Sequence, residues 1–168
     1  MAADIMIVVT GAAGHVGANL VRALVAQGRP VRAIVHLDRQ ALEGLAIEVA
    51  TADIRDPASL RRAFKGAEVV YHLAALIAIA NEPWSLLEAI NISGTRNVVE
   101  ACLSCGVRRL VHFSSIHTLT DTANDSPVDE ASPLVESRRY PAYDRSKAAA
   151  ESEVRRGIGR GLDAVIIS

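Results

Sequence analysis

Aromatic side chains are scarce in this chain, at 4% of its residues, although 50% of the residues are hydrophobic. Burial therefore falls to Ala, Val, Leu and Ile, a mix that suits a parallel sheet covered by helices on both faces. Neither sign of charge dominates: 18 basic and 19 acidic residues leave a net charge of −1. That balance removes the electrostatic footprint of a nucleic-acid-binding protein or of one that sits on anionic membranes. No apolar run approaches the ~18 residues that a membrane span requires. Met1 to Asp4 lead directly into an apolar stretch, so no secretory leader is expected and a cytoplasmic protein is the default. The five histidines are dispersed without metal-ligand spacing, and no metal site is expected. The only two cysteines, Cys102 and Cys105, form a C-x-x-C. That spacing suits a redox pair or half a zinc site. With no second pair and a helical context just before Gly106, ordinary packing inside a helix is the expectation.

What the sequence does have is a glycine-rich turn in a telling place. The apolar run Ile5–Val9 is followed by Thr10-Gly11-Ala12-Ala13-Gly14-His15-Val16-Gly17. A segment follows in which Val16, Leu20, Ala23 and Leu24 recur at helical spacing. Strand, glycine turn and helix together form the context in which such glycines bind phosphate. Gly11 permits the tight turn, Gly14 admits a pyrophosphate to the backbone, and Gly17 lets the helix pack on the strand. Ala13, His15 and Val16 lie among them, at a helix N-terminus whose free N–H groups favour anions.

Strand and helix then alternate. The strands are expected at Ile5–Val9, Val31–His36, Leu45–Thr51, Glu68–His72, Arg109–Phe113 and Leu162–Ile167. Helices are expected up to Gln27, behind Asp56-Pro57 as cap and first-turn proline, over Pro83–Cys105, and over Ala142–Arg156. Residues 120–141 read as a long polar loop, too long for a plain connection. The pattern predicts one domain with a doubly wound parallel α/β sheet. The chain stops right after the sixth strand, which reads as a truncation.

Within the last helix, Tyr143 and Lys147 are four residues apart and share a face. An ammonium beside a phenol lowers the phenol pKa and suits it to general acid/base work.

Taken in order, these motifs resemble the extended branch of the short-chain dehydrogenase/reductase superfamily, the branch of epimerases, dehydratases and dihydroflavonol-reductase-like enzymes. The carriers are the T-G-x-x-G-x-x-G turn; Asp53-Ile54; His72-Leu73-Ala74-Ala75; Asn91 in N-x-x-G-T-x-N-V; Ser114-Ser115; Asp129-Glu130; and Tyr143 with Lys147. The resemblance implies a Rossmann-like fold whose C-terminal substrate domain is absent here. It implies that Tyr143 exchanges a proton with the substrate oxygen. Lys147 would lower the Tyr143 pKa and hold the nicotinamide ribose. Ser115 would hydrogen-bond the substrate, with Ser114 as fallback. It also implies that Asp53 and Ile54 contact the adenine, and that Leu73, Ala74, Ala75 and Asn91 flank the cofactor.

At the end of strand two, where a carboxylate usually holds the NAD ribose about 20 residues past the glycines, this chain has Val35, with His36 and Arg39 close behind. That favours NADP, while Asp38 curling back onto the ribose would restore NAD. Three functional readings follow. One is a reductase or dehydrogenase acting on a ketone or secondary alcohol. Another is a nucleotide-sugar epimerase or dehydratase with retained NAD. The third is a dinucleotide-binding domain without catalysis, whose natural signature would be loss of Tyr143 or Lys147. The partner expected is a small-molecule substrate, with homodimerisation through apolar surface that a missing half would otherwise cover.

Overall fold

The computed structural model describes residues 5–77, 82–120 and 127–168. Six parallel strands form one sheet: β1 (Ile7–Thr10), β2 (Val31–Val35), β3 (Glu48–Thr51), β4 (Val69–His72), β5 (Arg109–Phe113) and β6 (Ala164–Ile167). Their order is β3-β2-β1-β4-β5-β6. Winding therefore runs outward in both directions from the β1/β4 pair. The crevice at that reversal, beyond the carboxyl ends of the strands, is where such sheets bind ligands. All six expected strands are present, with ends shifted by up to three residues. β5 has the predicted bounds, whereas β3 begins at Glu48 rather than Leu45.

Every residue of β1 is buried, as expected of a central strand covered on both faces. Val9, Ala33 and Val35 pack under α1 (His15–Ala26). Val8, Ile34, Val70 and Leu110 pack on the opposite side, in a core with α2 (Pro57–Phe64), α4 (Gly94–Cys105) and α5 (Ala142–Ile158). Asp56 caps α2 by accepting from the Ala58 N–H at 2.9 Å, with Pro57 in the first turn. α4 ends at Gly106, whose φ of 67° suits glycine, and the Val107 N–H returns to the Cys102 carbonyl at 2.9 Å. Cys102 lies fully buried in the core, where burial pushes its thiol pKa up, and both cysteines are free.

The long helix is not uniform. It opens as α3 (Trp84–Leu87), passes through a π-helical turn (Glu88–Ser93), and continues as α4. The polar loop after β5 folds back on itself: Thr120 N–H donates to the Pro133 carbonyl at 2.8 Å and Val135 N–H to the Thr118 carbonyl at 2.8 Å. Residues 121–126 of that expected loop lie outside the described residues. Among the described residues, no helix is long and apolar enough to cross a membrane, and no group of three potential ligands gathers for a metal.

Beneath the carboxyl end of the sheet lie His72 and His112, each 1% exposed, with ring centroids 5.3 Å apart. His72 Nδ1 meets Thr10 Oγ1 at 2.7 Å and Nε2 meets Thr95 Oγ1 at 3.0 Å. Neither ring nitrogen of His112 has a partner among the described residues. Burial, helped by Lys147, lowers the His72 pKa to about 3. Burial, then His72 and Lys147, lowers that of His112 well below the usual histidine range. Both rings are thus neutral when folded, while an unfolded histidine takes up a proton near about pH 6.5. Below that pH the unfolded chain binds more protons, so stability is complete above it and declines as pH falls towards 3. At pH 5 the loss is on the order of 2 kcal/mol per histidine. Urea titrations at pH 7.5 and pH 5 should show His112→Phe losing less stability than the unmodified chain by about that amount.

Candidate functional site

The glycine turn is built by close backbone contacts. Gly11 has φ of 68°, and a Cβ there would sit 2.6 Å from the Ala74 nitrogen, so the exits of β1 and β4 touch through it. A Cβ on Gly17 would collide with the Gly11 carbonyl oxygen. Gly14 is exposed and donates its N–H to the Gly11 carbonyl at 3.0 Å. α1 begins directly after it, with no side-chain cap among the described residues and no acidic residue in its first turn. Its first N–H groups are therefore left for an anion.

Beside this turn a cavity of about 390 Å³ opens beyond the ends of β1 to β4. Gly11, Ala13, Gly14, His36, Asp53, Ile54, Ala74 and Ala75 line it, as the sequence led one to expect. The other candidates are placed differently. His15 and Val16 are exposed on the first turn of α1, outside the cavity lining, and Gly17 is buried. Leu73 packs into the core on the α1 side of the sheet. Arg39 is exposed and outside the lining, whereas Asp38 is part of it. Asp38 Oδ1 accepts from the Gln40 N–H at 2.8 Å.

Arg55, Leu76 and Ile90 also line the cavity and went unread in the sequence. Arg55 clasps the Asp53 carboxylate, at 2.6 Å from Nη2 to Oδ2, and His36 Nε2 stands 3.3 Å from the same oxygen. The Arg55 guanidinium holds the Asp53 carboxyl below the usual carboxylate range, against the opposing effect of partial burial.

Asn91, buried in the π-helical turn, acts one step back from the cavity. Its side chain exchanges two hydrogen bonds with the Leu76 backbone, at 2.8 and 3.0 Å, and its Nδ2 also donates to Ser146 Oγ at 2.9 Å. It therefore shapes the cavity wall at Leu76 rather than lining it. The extra residue of a π turn re-aims side chains, and such turns gather at functional sites. Gly94 begins the next turn, where a Cβ would meet Ile54 Cδ1 at 2.7 Å.

At the exit of β5, Ser114 and Ser115 are used differently. Ser114 Oγ donates to Glu151 Oε2 at 2.8 Å, so its proton is committed. Ser115 Oγ accepts from the His117 N–H at 3.2 Å, and among the described residues its own proton has no acceptor. Lys147 is 4% exposed and its Nζ donates to the Phe113 carbonyl at 2.7 Å. Burial lowers its pKa to about 8, opposed by Glu151. One expectation needs correcting. Tyr143 is not lowered by Lys147 in this arrangement: burial and then Asp144 raise its pKa. Tyr143 and Lys147 are one turn apart on α5, and one of the three N–H donors of Lys147 goes to the end of β5.

The order of the sheet, the glycine turn and the cavity at the reversal define a Rossmann-like domain. The NAD dependent epimerase/dehydratase family matches residues 7–167, and the chain belongs to it. Over 164 residues it is 40% identical to sterol demethylase protein B of Methylococcus capsulatus, covering 95% of this chain and 49% of that protein. It is 32% identical to a putative dihydroflavonol 4-reductase of Synechocystis, with 95% and 47% covered. Among solved structures, that of gox2253 aligns with a TM-score of 0.88 at 36% identity, over 97% of this chain and 50% of that one. A short-chain dehydrogenase/reductase superfamily protein from Agrobacterium tumefaciens with bound NAD aligns at 0.83 and 34%, over 96% and 48%. The chain thus spans about half the length of the relatives it matches.

Gly17→Ala pushes its new methyl into backbone, which cannot yield as a flexible side chain would. It should destabilise the chain by about 2 kcal/mol or more and weaken dinucleotide binding in calorimetry far more than Gly28→Ala. Gly28 has open space around it despite its positive φ.

Proposed function

We propose that this chain is the cofactor-binding part of an NAD(P)-dependent oxidoreductase that moves hydride to or from a ketone or secondary alcohol, in the manner of dihydroflavonol-reductase-like enzymes. The observation that carries the reading is the division of labour at the exit of β5. Ser114 is spent on Glu151, Ser115 retains a donatable proton, and Lys147 is seated on the adjoining Phe113 carbonyl. The relatives support the same class, since a putative dihydroflavonol 4-reductase and a quinoline-oxide ketoreductase of Stigmatella aurantiaca are each 32% identical.

The residues present fit a dinucleotide. Gly11 and Gly14 line the cavity with backbone, and the uncapped first turn of α1 offers donors. Gly11, Ala13, Gly14 and the N–H groups of His15 and Val16 hold the pyrophosphate. Asp53 and Ile54 flank the adenine, and Ala74 and Ala75 line the floor. A bound nicotinamide supplies or accepts the hydride. Ser115 hydrogen-bonds the substrate oxygen, and Tyr143 gives it the proton on reduction or takes it on oxidation. Lys147, seated on the Phe113 carbonyl, would hold the nicotinamide ribose.

For the cofactor, NADP is supported by Val35 standing where an acidic residue would hold the ribose, and by His36 in the cavity lining. A second reading, NAD, is favoured by one specific observation: Asp38 lines the cavity and Arg39 does not. NAD would also suit an epimerase or dehydratase.

Calorimetric titration with NADPH and NADH separates these. Under the NADP reading, NADPH binds more tightly and His36→Ala weakens it about tenfold, while NADH binding hardly changes. Under the NAD reading, NADH binds more tightly and Asp38→Ala weakens it about tenfold or more. Tyr143→Phe should keep cofactor affinity within about twofold. It should also cut reduction of aryl and aliphatic ketones, followed by nicotinamide absorbance, by ~100-fold or more. Undiminished turnover in that variant would remove Tyr143 from the mechanism.

A further inference from the structure

Glu151 is a buried carboxylate that the mechanism above does not use. It is 2% exposed and lies four residues after Lys147 on α5. Oxygen Oε2 accepts the Ser114 hydroxyl at 2.8 Å and lies 3.4 Å from Thr118 Oγ1, whose hydroxyl donates to the Ser115 carbonyl at 2.7 Å. Oxygen Oε1 takes the Arg155 guanidinium through two nitrogens, at 3.0 and 2.7 Å. Burying a carboxylate is costly, and an apolar residue of similar size would commonly serve stability as well. The partners show what the charge accomplishes here. α5 grips the exit of β5 at two successive helical turns, with Lys147 on the Phe113 carbonyl and Glu151 on the Ser114 hydroxyl. Ser115 sits just beyond these two points, at the head of the short 3₁₀ turn Ile116–Thr118 that Thr118 closes.

We propose that Glu151 is a positioning residue: it fixes the Ser115 turn against α5 and sets its carboxylate one helical turn from the Lys147 ammonium. The inference rests on the reading of Ser115, Tyr143 and Lys147 as the reacting set. Ser114 is thereby a tether, which explains two adjacent serines where only one has a proton free. Glu151 acts on Lys147 from its own helix, and Lys147 in turn acts on His72 of β4 and His112 of β5. Both imidazoles are neutral, so Glu151 is the anion among these groups.

The sequence makes the test direct, because Lys65 and Lys147 are its only lysines. In the chain labelled with ¹³C-lysine, the Cε shift of Lys147 is followed against pH, with Lys65 as internal control. Glu151→Gln should lower the Lys147 midpoint by about one pH unit and leave Lys65 unmoved. Glu151→Asp, which keeps the charge, should restore most of it. Amide hydrogen exchange at His117 and Thr118, whose N–H groups bond to Ser115, should quicken about tenfold or more in Glu151→Gln.

Ser114→Ala keeps the carboxylate and removes the tether. It should quicken the same amides and leave the Lys147 midpoint within about 0.2 unit of the unmodified chain. An unmoved Lys147 midpoint in Glu151→Gln, or unchanged exchange in Ser114→Ala, overturns the proposal. Where Glu151→Gln does not fold, the Ser114→Ala exchange decides. Neither readout needs cofactor or turnover. Failure of the proposal is therefore distinguishable from failure of the catalytic reading, which Tyr143→Phe addresses.

Discussion

A single buried imidazole ties the site together. The sheet parts in opposite directions at β1 and β4, and His72 at the end of β4 bonds to Thr10 at the end of β1 and to Thr95 on α4. The residue after Thr10 is Gly11, and two residues after His72 comes Ala74, the two points where the strand exits touch. The position of the glycine turn relative to the cavity therefore depends on this contact. Burial keeps the ring neutral, so one nitrogen donates and the other accepts, and two threonine hydroxyls can answer either tautomer. A charged ring could still donate to both hydroxyls; what opposes it is the loss of water around a fully buried cation. The same buried contact thus sets both the pH dependence of the fold and the place of the turn.

The sequence made legible what is local. Strand, glycine turn and helix are dictated by residues within ~15 positions of one another, and all six strands and the cap at Asp56 were readable for that reason. Half of the cavity lining followed, because the Gly11–Gly14 turn, Asp53-Ile54 and Ala74-Ala75 sit where strands end. What failed to show was set by contacts across the chain. Asn91 was readable as a site residue but not as the clamp on Leu76, since that pairing needs the π turn to aim it. Likewise Lys147 shares a face with Tyr143 by periodicity, while its actual partner, the Phe113 carbonyl, is 34 residues away. Periodicity gives the side of a helix; it does not say which acceptor a long, flexible side chain will choose.

Three charged residues of α5 are buried, and their partners separate support from service. Glu153, 4% exposed, pairs with Arg96 on α4 and with Arg156 a turn further on, two arginines that reach solvent. Those guanidiniums hold its carboxyl below the usual range even though burial pushes it upward. That arrangement fastens helix to helix and could be replaced by apolar packing. Lys147 and Glu151 face the sheet instead, and each takes a partner from the exit of β5.

Such a pair fixes direction as well as distance. A carbonyl can be held by an ammonium and a hydroxyl by a carboxylate, whereas an aliphatic contact would leave both free to rotate. The segment held this way is Phe113 to Thr118, a strand end and a single 3₁₀ turn with little hydrophobic burial of its own. Hydrophobic packing cannot specify so short and polar a segment, because it has too little area to bury. Directional bonds from a rigid helix can, which accounts for charge on a face that otherwise meets a mostly apolar core.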